Sequence, residues 1–194
     1  MKKKNKNWIY PLILMGCVLI ITSSCEKDKE DQTPVLVTIG QSYQGGVVAY
    51  ILRPGDSGYD VKVQHGLIAA SSDQSTGAKW GCEGTAITGA DGTAVGTGNQ
   101  NTIDIMNGCS TAGIAARLCG DLVLAGQSDW YLPSKNELAR LYENRVAVGG
   151  FASAAYWSSS EGSHLTAWKL HFDDGTQNCA NKTTTYYVRA VRAF

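Results

Sequence analysis

Histidine is scarce in this chain: His65, His164 and His171 are the only three. No H-E-x-x-H segment occurs and no cysteines stand in pairs at zinc-ligand spacing, so a dedicated zinc site has no ligand set to draw on. G-x-S-x-G is absent as well. The run Ser158-Ser159-Ser160 follows Trp157 in a β-patterned stretch, where packing is the expected role. Gly96-Thr97-Gly98 lacks a third glycine at the dinucleotide spacing, and no lysine completes a phosphate loop. Basic clusters are missing beyond the first few residues. Lys2, Lys3, Lys4 and Lys6 are four of 17 basic residues, which leaves 13 against 17 acidic ones and a net charge of −4 for the remainder. Without a basic stripe, nucleic acid is not an expected partner.

Long apolar runs are also lacking. The longest, residues 8–21, is interrupted only by Pro11 and falls short of the ~20 residues that span a bilayer. Its setting is informative: four lysines precede it and Thr22-Ser23-Ser24-Cys25 follows it. This order of basic, apolar and small-residue blocks is that of an export signal, and the last four residues resemble a lipobox, with Thr22 standing where that pattern prefers Leu. Leu14-Met15-Gly16-Cys17 fits the four-residue pattern better but would halve the apolar run. The expectation is a signal peptide over 1–24, a lipidated Cys25 opening a flexible tether over 25–40, and a single domain over 41–194. The charged, apolar-free residues 26–32 can bury nothing and suit a solvated linker. They also look like the signal that places some lipoproteins on the outer face of the outer membrane. A lipid-anchored, surface-exposed outer-membrane protein is therefore expected, with the membrane as a partner through its acyl chains.

From Val35 onward 160 residues remain, enough for one domain with its own core. Four cysteines fall in this part, Cys82, Cys109, Cys119 and Cys179, and four cysteines allow three complete pairings. In an oxidising compartment, Cys82 and Cys109 are the expected bridge, because they bracket a Gly/Thr/Asn-rich stretch with little apolar material of its own. Cys119 shares a helical stripe with Ala115, Leu118 and Leu122 and reads as a small core residue. Free thiols at Cys119 and Cys179 are preferred over a second bridge.

Strand patterns occur at residues 46–52, 66–70, 156–160, 165–172 and 186–191, with Asp173-Asp174-Gly175 a hairpin signal between the last two. Residues 71–110 are almost all small and polar and read as a long loop, functional or stapled. Two helices are expected, over residues 112–124 and from Ser134 to the Gly149-Gly150 stop. The second opens on a capping box, Ser134-Lys135-Asn136-Glu137. The fold class is α+β, with an antiparallel sheet, two helices and long Gly-rich loops. The last strand is expected to pair with residues 47–52.

Three segments together resemble a known family. Asp129-Trp130-Tyr131-Leu132-Pro133-Ser134-Lys135-Asn136-Glu137-Leu138, Tyr156-Trp157-Ser158-Ser159-Ser160-Glu161 and Val188-Arg189-Ala190-Val191-Arg192 look like the Lcl C-terminal-domain family of bacterial surface modules. The triplet is more distantly similar to the formylglycine-generating enzymes, and both resemble the C-type-lectin-like fold. The motif residues Trp130, Pro133, Ser134, Glu137, Trp157, Ser158, Glu161, Arg189 and Arg192 read as structural, with Glu161 placed to pair with Arg189 or Arg192. The formylglycine-generating resemblance implies an oxidase that uses two cysteines near the C-terminal strand, and residues 186–192 carry none. A non-catalytic module is expected, without cofactor, that binds an extracellular glycan or a surface protein. Glu161, His164 and Trp168 around one turn, and Asp173, Asp174, Asn178 and Asn181 around the next, are the candidate ligand groups. Their oxygens also suit calcium, although the calcium-lectin signatures are missing.

Overall fold

The computed structural model describes residues 36–194, which lie within one compact unit, Pro34–Phe194. The expected signal peptide, the lipidation site Cys25 and most of the tether lie outside the described residues. No helix among the described residues is long and apolar enough to cross a membrane.

The chain runs β1 (Ser42–Tyr43), β2 (Gly46–Ile51), β3 (Gly66–Ala69), β4 (Ser75–Lys79), α1 (Gly98–Gly108), α2 (Ala115–Gly120), α3 (Lys135–Glu143), α4 (Arg145–Val148), β5 (Ala155–Glu161), β6 (Thr166–His171), β7 (Gln177–Asn181), β8 (Thr185–Val188) and β9 (Val191–Ala193). The α+β class is as expected, but the strands form two sheets rather than one. Their orders are β1-β2-β3-β9 and β4-β8-β5-β6-β7. Nor is the pairing purely antiparallel, since β5 meets β8 in parallel at Tyr156 and Tyr187. The last strand joins the sheet of β2 but lies against β3, with Ile68 opposite Arg192. The 186–191 pattern is in fact two strands in different sheets, with Arg189-Ala190 as the crossing.

A second crossing, residues 70–74 between β3 and β4, runs beside the first. Ala70 N–H donates to the Ala190 carbonyl at 2.9 Å and Gln74 N–H to Val188 at 2.8 Å. One long strand pair thus passes from sheet to sheet, and Arg189 locks the pass-over. Its guanidinium is fully buried, donates to Asp73 Oδ1 at 2.6 Å and to the Ala70 carbonyl at 2.9 Å, and stacks 4.3 Å from the Phe151 ring. A buried cation is tolerable only when paired and hydrogen-bonded in this way.

Side chains of adjacent residues in β5 point to opposite faces, so Tyr156 and Trp157 feed different cores. Trp157 packs with Trp80, Ile105, Ile114 and Trp130 beneath α1 and α2. Tyr156 packs with Tyr50, Leu138, Leu141 and Leu170 beneath α3. The two deepest indoles stitch β4 to β5: Trp157 Nε1–H donates to the Ala78 carbonyl and Trp80 Nε1–H to Ser158, both at 2.9 Å.

Among the described residues four helices form where two were expected. The Ser134 helix breaks at Asn144, whose side-chain amide donates to the Ala49 carbonyl of β2 and so splits α4 from α3. The 112–124 pattern shortens to α2, because Gly113 turns the chain at φ 70° and Leu124 leaves the helix to bridge Gln127. Helix α1 lies inside the expected loop. Its Asn, Gly and Thr residues have poor helix propensity, and Thr97 makes no side-chain cap. Tertiary bonds hold it instead: Asn101 donates to Gly92 and to Ser159 Oγ, and the Thr102 hydroxyl accepts from Leu132 N–H at 3.0 Å.

Candidate functional site

The glycine-rich stretch 82–97 has little core of its own, and other segments fasten it. Cys82 and Cys109 form a disulfide that closes it against the C-terminal end of α1. Glu161 accepts Ile87 N–H at 3.0 and 3.1 Å, while its own N–H donates to Ala90 at 2.7 Å. The carboxylate pairs with the fully buried Lys182, whose ammonium also donates to Thr85 at 2.8 Å and sits 4.5 Å from the Trp80 ring. Ser160 Oγ–H donates to Gly92 at 2.6 Å. The expected pairing of Glu161 with Arg189 or Arg192 is therefore corrected. The two arginines bind Asp73 and Asp129 at the sheet crossing and the sheet end, whereas Glu161 faces the loop. The serine run is buried throughout, and its hydroxyls serve three elements: Ser158 donates to Trp168 of β6, Ser159 accepts from Asn101 of α1, and Ser160 fastens the loop at Gly92.

The capping box of α3 fastens the last part of the stretch. Ser134 Oγ accepts Glu137 N–H, and Glu137 Oε2 accepts Ser134 N–H at 2.7 Å. The other oxygen reaches out of the helix to accept Gly96 N–H at 2.8 Å and the Tyr131 hydroxyl at 3.3 Å. Gly96 has φ 92°, and a Cβ on Gly98 would overlap Glu137 Oε2. Glycine is required at both positions for the loop to approach the cap. Burial raises the Glu137 carboxyl above its usual range, against the pull of these hydrogen bonds.

This arrangement builds one wall of a cleft of about 400 Å³. Leu52, Val95, Gly96 and Asn99 line it together with residues 57–58 and 65–67. Tyr131 and Phe194 also line it. His65 Nδ1 lies 3.1 Å from the Phe194 backbone oxygen, an acceptor matched by the tautomer that carries its proton on Nδ1. No hydrogen bond among the described residues uses Nε2. The cleft thus combines aromatic and aliphatic surface with an imidazole nitrogen, the Asn99 amide and the Ser57 hydroxyl. Volume and mixture are both within the range of small-ligand sites.

The expected ligand groups are not brought together. Strand β6 separates their two turns by roughly 20 Å at ~3.3 Å per residue. Glu161, His164 and Asn181 lie at one end of it, and Asp173 and Asp174 at the other. Glu161 is committed to Lys182 and Ile87. Asn181 is bonded to Glu83 and closes its own turn through Thr183 N–H. Asp174 holds Thr176 N–H in the hairpin at 2.8 Å. His164 and Asn178 are exposed. Trp168 shares strand parity with Leu170 and Phe172 but is only half-buried, with the Lys135 ammonium 3.6 Å over its ring. Among the described residues, no three His, Cys, Asp or Glu side chains group as metal ligands.

Ser134, Glu137, Ser160 and Glu161, which fasten the loop, and Arg189, which locks the sheet crossing, are residues of the three recognisable segments. The family profile described as the Lcl C-terminal domain matches residues 69–192. The chain belongs to the Lcl C-terminal domain family. In this Lcl C-terminal domain the family signature maps onto architecture: Trp157 fills a core, Ser134 and Glu137 cap a helix, and Arg189 and Arg192 tie sheet segments. A crystal structure of a fimbrial protein from Bacteroides ovatus ATCC 8483 shares the fold, with a TM-score of 0.51 at 17% identity over 75% of this chain. The likeness covers 43% of that protein, so this chain spans under half its length. No curated protein matches the chain. The cleft of this Lcl C-terminal domain had no signature in the sequence, because its lining comes from segments far apart along the chain.

Proposed function

We propose that this is a lipid-anchored module displayed at the bacterial surface, anchored through Cys25, that binds a glycan without catalysis. The ligand docks in the cleft between Leu52, Asn99, Tyr131 and Phe194. The observation that carries the reading is the composition of that cleft. Sugars present apolar faces and hydroxyls together, and recognition needs aromatic surface beside a few fixed polar groups. Tyr131 and Glu137 satisfy each other, so they supply a rigid floor rather than a reactive group. The fold belongs to this reading as a C-type-lectin-like variant: first and last strands share a sheet, and long loops are held by a rigid scaffold. The likeness to a fimbrial protein is in keeping with surface display.

An exposed apolar patch favours a second reading, adhesion to a protein partner. Tyr59, Val61 and Val63 are 39%, 80% and 47% exposed and sit beside the cleft. A glycan array beside a pull-down from cell surfaces separates the two. Asn99 is exposed and its side chain makes no hydrogen bond among the described residues, so Asn99→Trp fills the cleft without disturbing the core. Glycan binding is expected to disappear in Asn99→Trp at unchanged melting temperature and to survive the Asp173→Ala, Asp174→Ala double change. Glycan binding retained in Asn99→Trp removes the cleft from the proposal. An array without hits beside a captured protein partner gives the second reading its place.

A further inference from the structure

Sheet edges expose unpaired backbone donors and acceptors, and proteins ordinarily blunt them with shortness, charge, bulges or cover. Among the described residues three of the four outer strands are blunted. Strand β1 has two residues. Strand β9 has three, and its Val191 exchanges hydrogen bonds with Tyr131 at 2.8 and 2.9 Å. Strand β4 carries a register shift and ends on Lys79. Strand β7 has none of these devices. It is five residues long, Gln-Asn-Cys-Ala-Asn, with no charge, no proline and an unbroken register against β6.

The ladder fixes which groups of β7 face outward. His171 N–H donates to Thr176 and Lys182 N–H to Leu165. With Trp168 opposite Cys179, alternation makes Ala180 and Asn178 the residues bonded to β6. Gln177 and Cys179 therefore turn their N–H and C=O groups to the open side, and Asn181 its N–H, while the Asn181 C=O accepts Thr184 N–H at 3.0 Å. No backbone or side-chain partner takes the Cys179 N–H or C=O among the described residues. Cys179 is the central residue of the strand, exposed, with a free thiol.

We propose that β7 is a homodimer edge, paired antiparallel with β7 of a second copy about a two-fold axis at Cys179. Such an edge is self-complementary: Cys179 exchanges both hydrogen bonds with Cys179 of the second copy, and Gln177 faces its Asn181. A neutral strand meets its own image without like-charge repulsion. Hydrogen-bonded antiparallel residues have Cα atoms about 5.5 Å apart, inside the range a disulfide requires. The two thiols can then join. They lose two protons and two electrons to a low-molecular-weight disulfide, which leaves as two thiols.

The register makes the test sharp. The full chain, incubated with oxidised glutathione, should give a dimer on non-reducing gels that reduction reverses and that Cys179→Ser abolishes. In the Cys179→Ser background, Gln177→Cys and Asn181→Cys should cross-link when the two proteins are mixed and not when either is alone, because residue 177 faces residue 181 of the other copy. Equal cross-linking of each variant with itself means random collision and overturns the proposal. A wild-type chain that stays monomeric under oxidation, with Cys179 glutathionylated, overturns it as well.

Discussion

Replacing Lys182 by Met tests whether the glycine-rich stretch is held by charge. The ammonium is fully buried and its partner Glu161 has a side chain only 10% exposed. Lys182→Met keeps the aliphatic stem against Trp80 but leaves the Thr85 carbonyl without its donor and the Glu161 carboxylate with Ile87 N–H alone. Removing one partner of a buried pair costs about 3–5 kcal/mol, because the remaining charge stays desolvated. In a domain of this size that lowers Tm by roughly 6–20 °C. Glu161→Gln removes the stranded charge, so the double variant should recover about 1–3 kcal/mol relative to the sum of the single changes. Urea unfolding followed by tryptophan fluorescence, with the Cys82–Cys109 bridge intact, measures both numbers. Hydrogen exchange at Ile87 and Ala90 reports whether the loop loosens before the domain unfolds. A loss below about 1 kcal/mol for Lys182→Met, or strict additivity in the double variant, would refute the argument, since either means that the pair is solvated.

The Cys82–Cys109 bridge closes 27 residues, and loop-closure entropy assigns it roughly 3–4 kcal/mol. Reduction should lower Tm accordingly, and peptide mapping without reductant should recover the two cysteines linked. Glu137 gives a pH dependence of defined sign. Its folded carboxyl is raised by burial, so the stability it contributes is complete below the ordinary glutamate range and is lost as pH rises through the raised value. Glu137→Gln should flatten that slope while costing about 1–3 kcal/mol, since an amide cannot accept both Ser134 N–H and Gly96 N–H; urea midpoints followed upward from roughly pH 4, the usual carboxylate range, decide it. Fatty-acid labelling of the expressed protein is expected to disappear in Cys25→Ala, and labelling that persists places the anchor elsewhere.

Local chemistry made much of this protein legible from its residues. Strands β2, β3, β5 and β6 follow from β-branched and aromatic runs, the hairpin from Asp173-Asp174-Gly175, and the start of α3 from a capping box whose partners are three residues apart. Composition indicated the disulfide, because a Gly/Thr/Asn-rich stretch with little apolar material between Cys82 and Cys109 needed a fastening. What the tertiary structure decided concerns partners distant in sequence. Glu161 could be recognised as a structural carboxylate, but its cation is Lys182 because β7 returns beside β5 through β6. The 186–191 run looks like one strand, yet Arg189 crosses between sheets because Asp73 waits in the neighbouring crossing. Helix α1 opposes its own propensity and exists because Gly92, Ser159 and Leu132 meet its polar side chains. The cleft has the same origin: Leu52, Asn99, Tyr131 and Phe194 carry no shared pattern, and only the meeting of the β3–β9 end of the first sheet with a fastened loop puts them around one space.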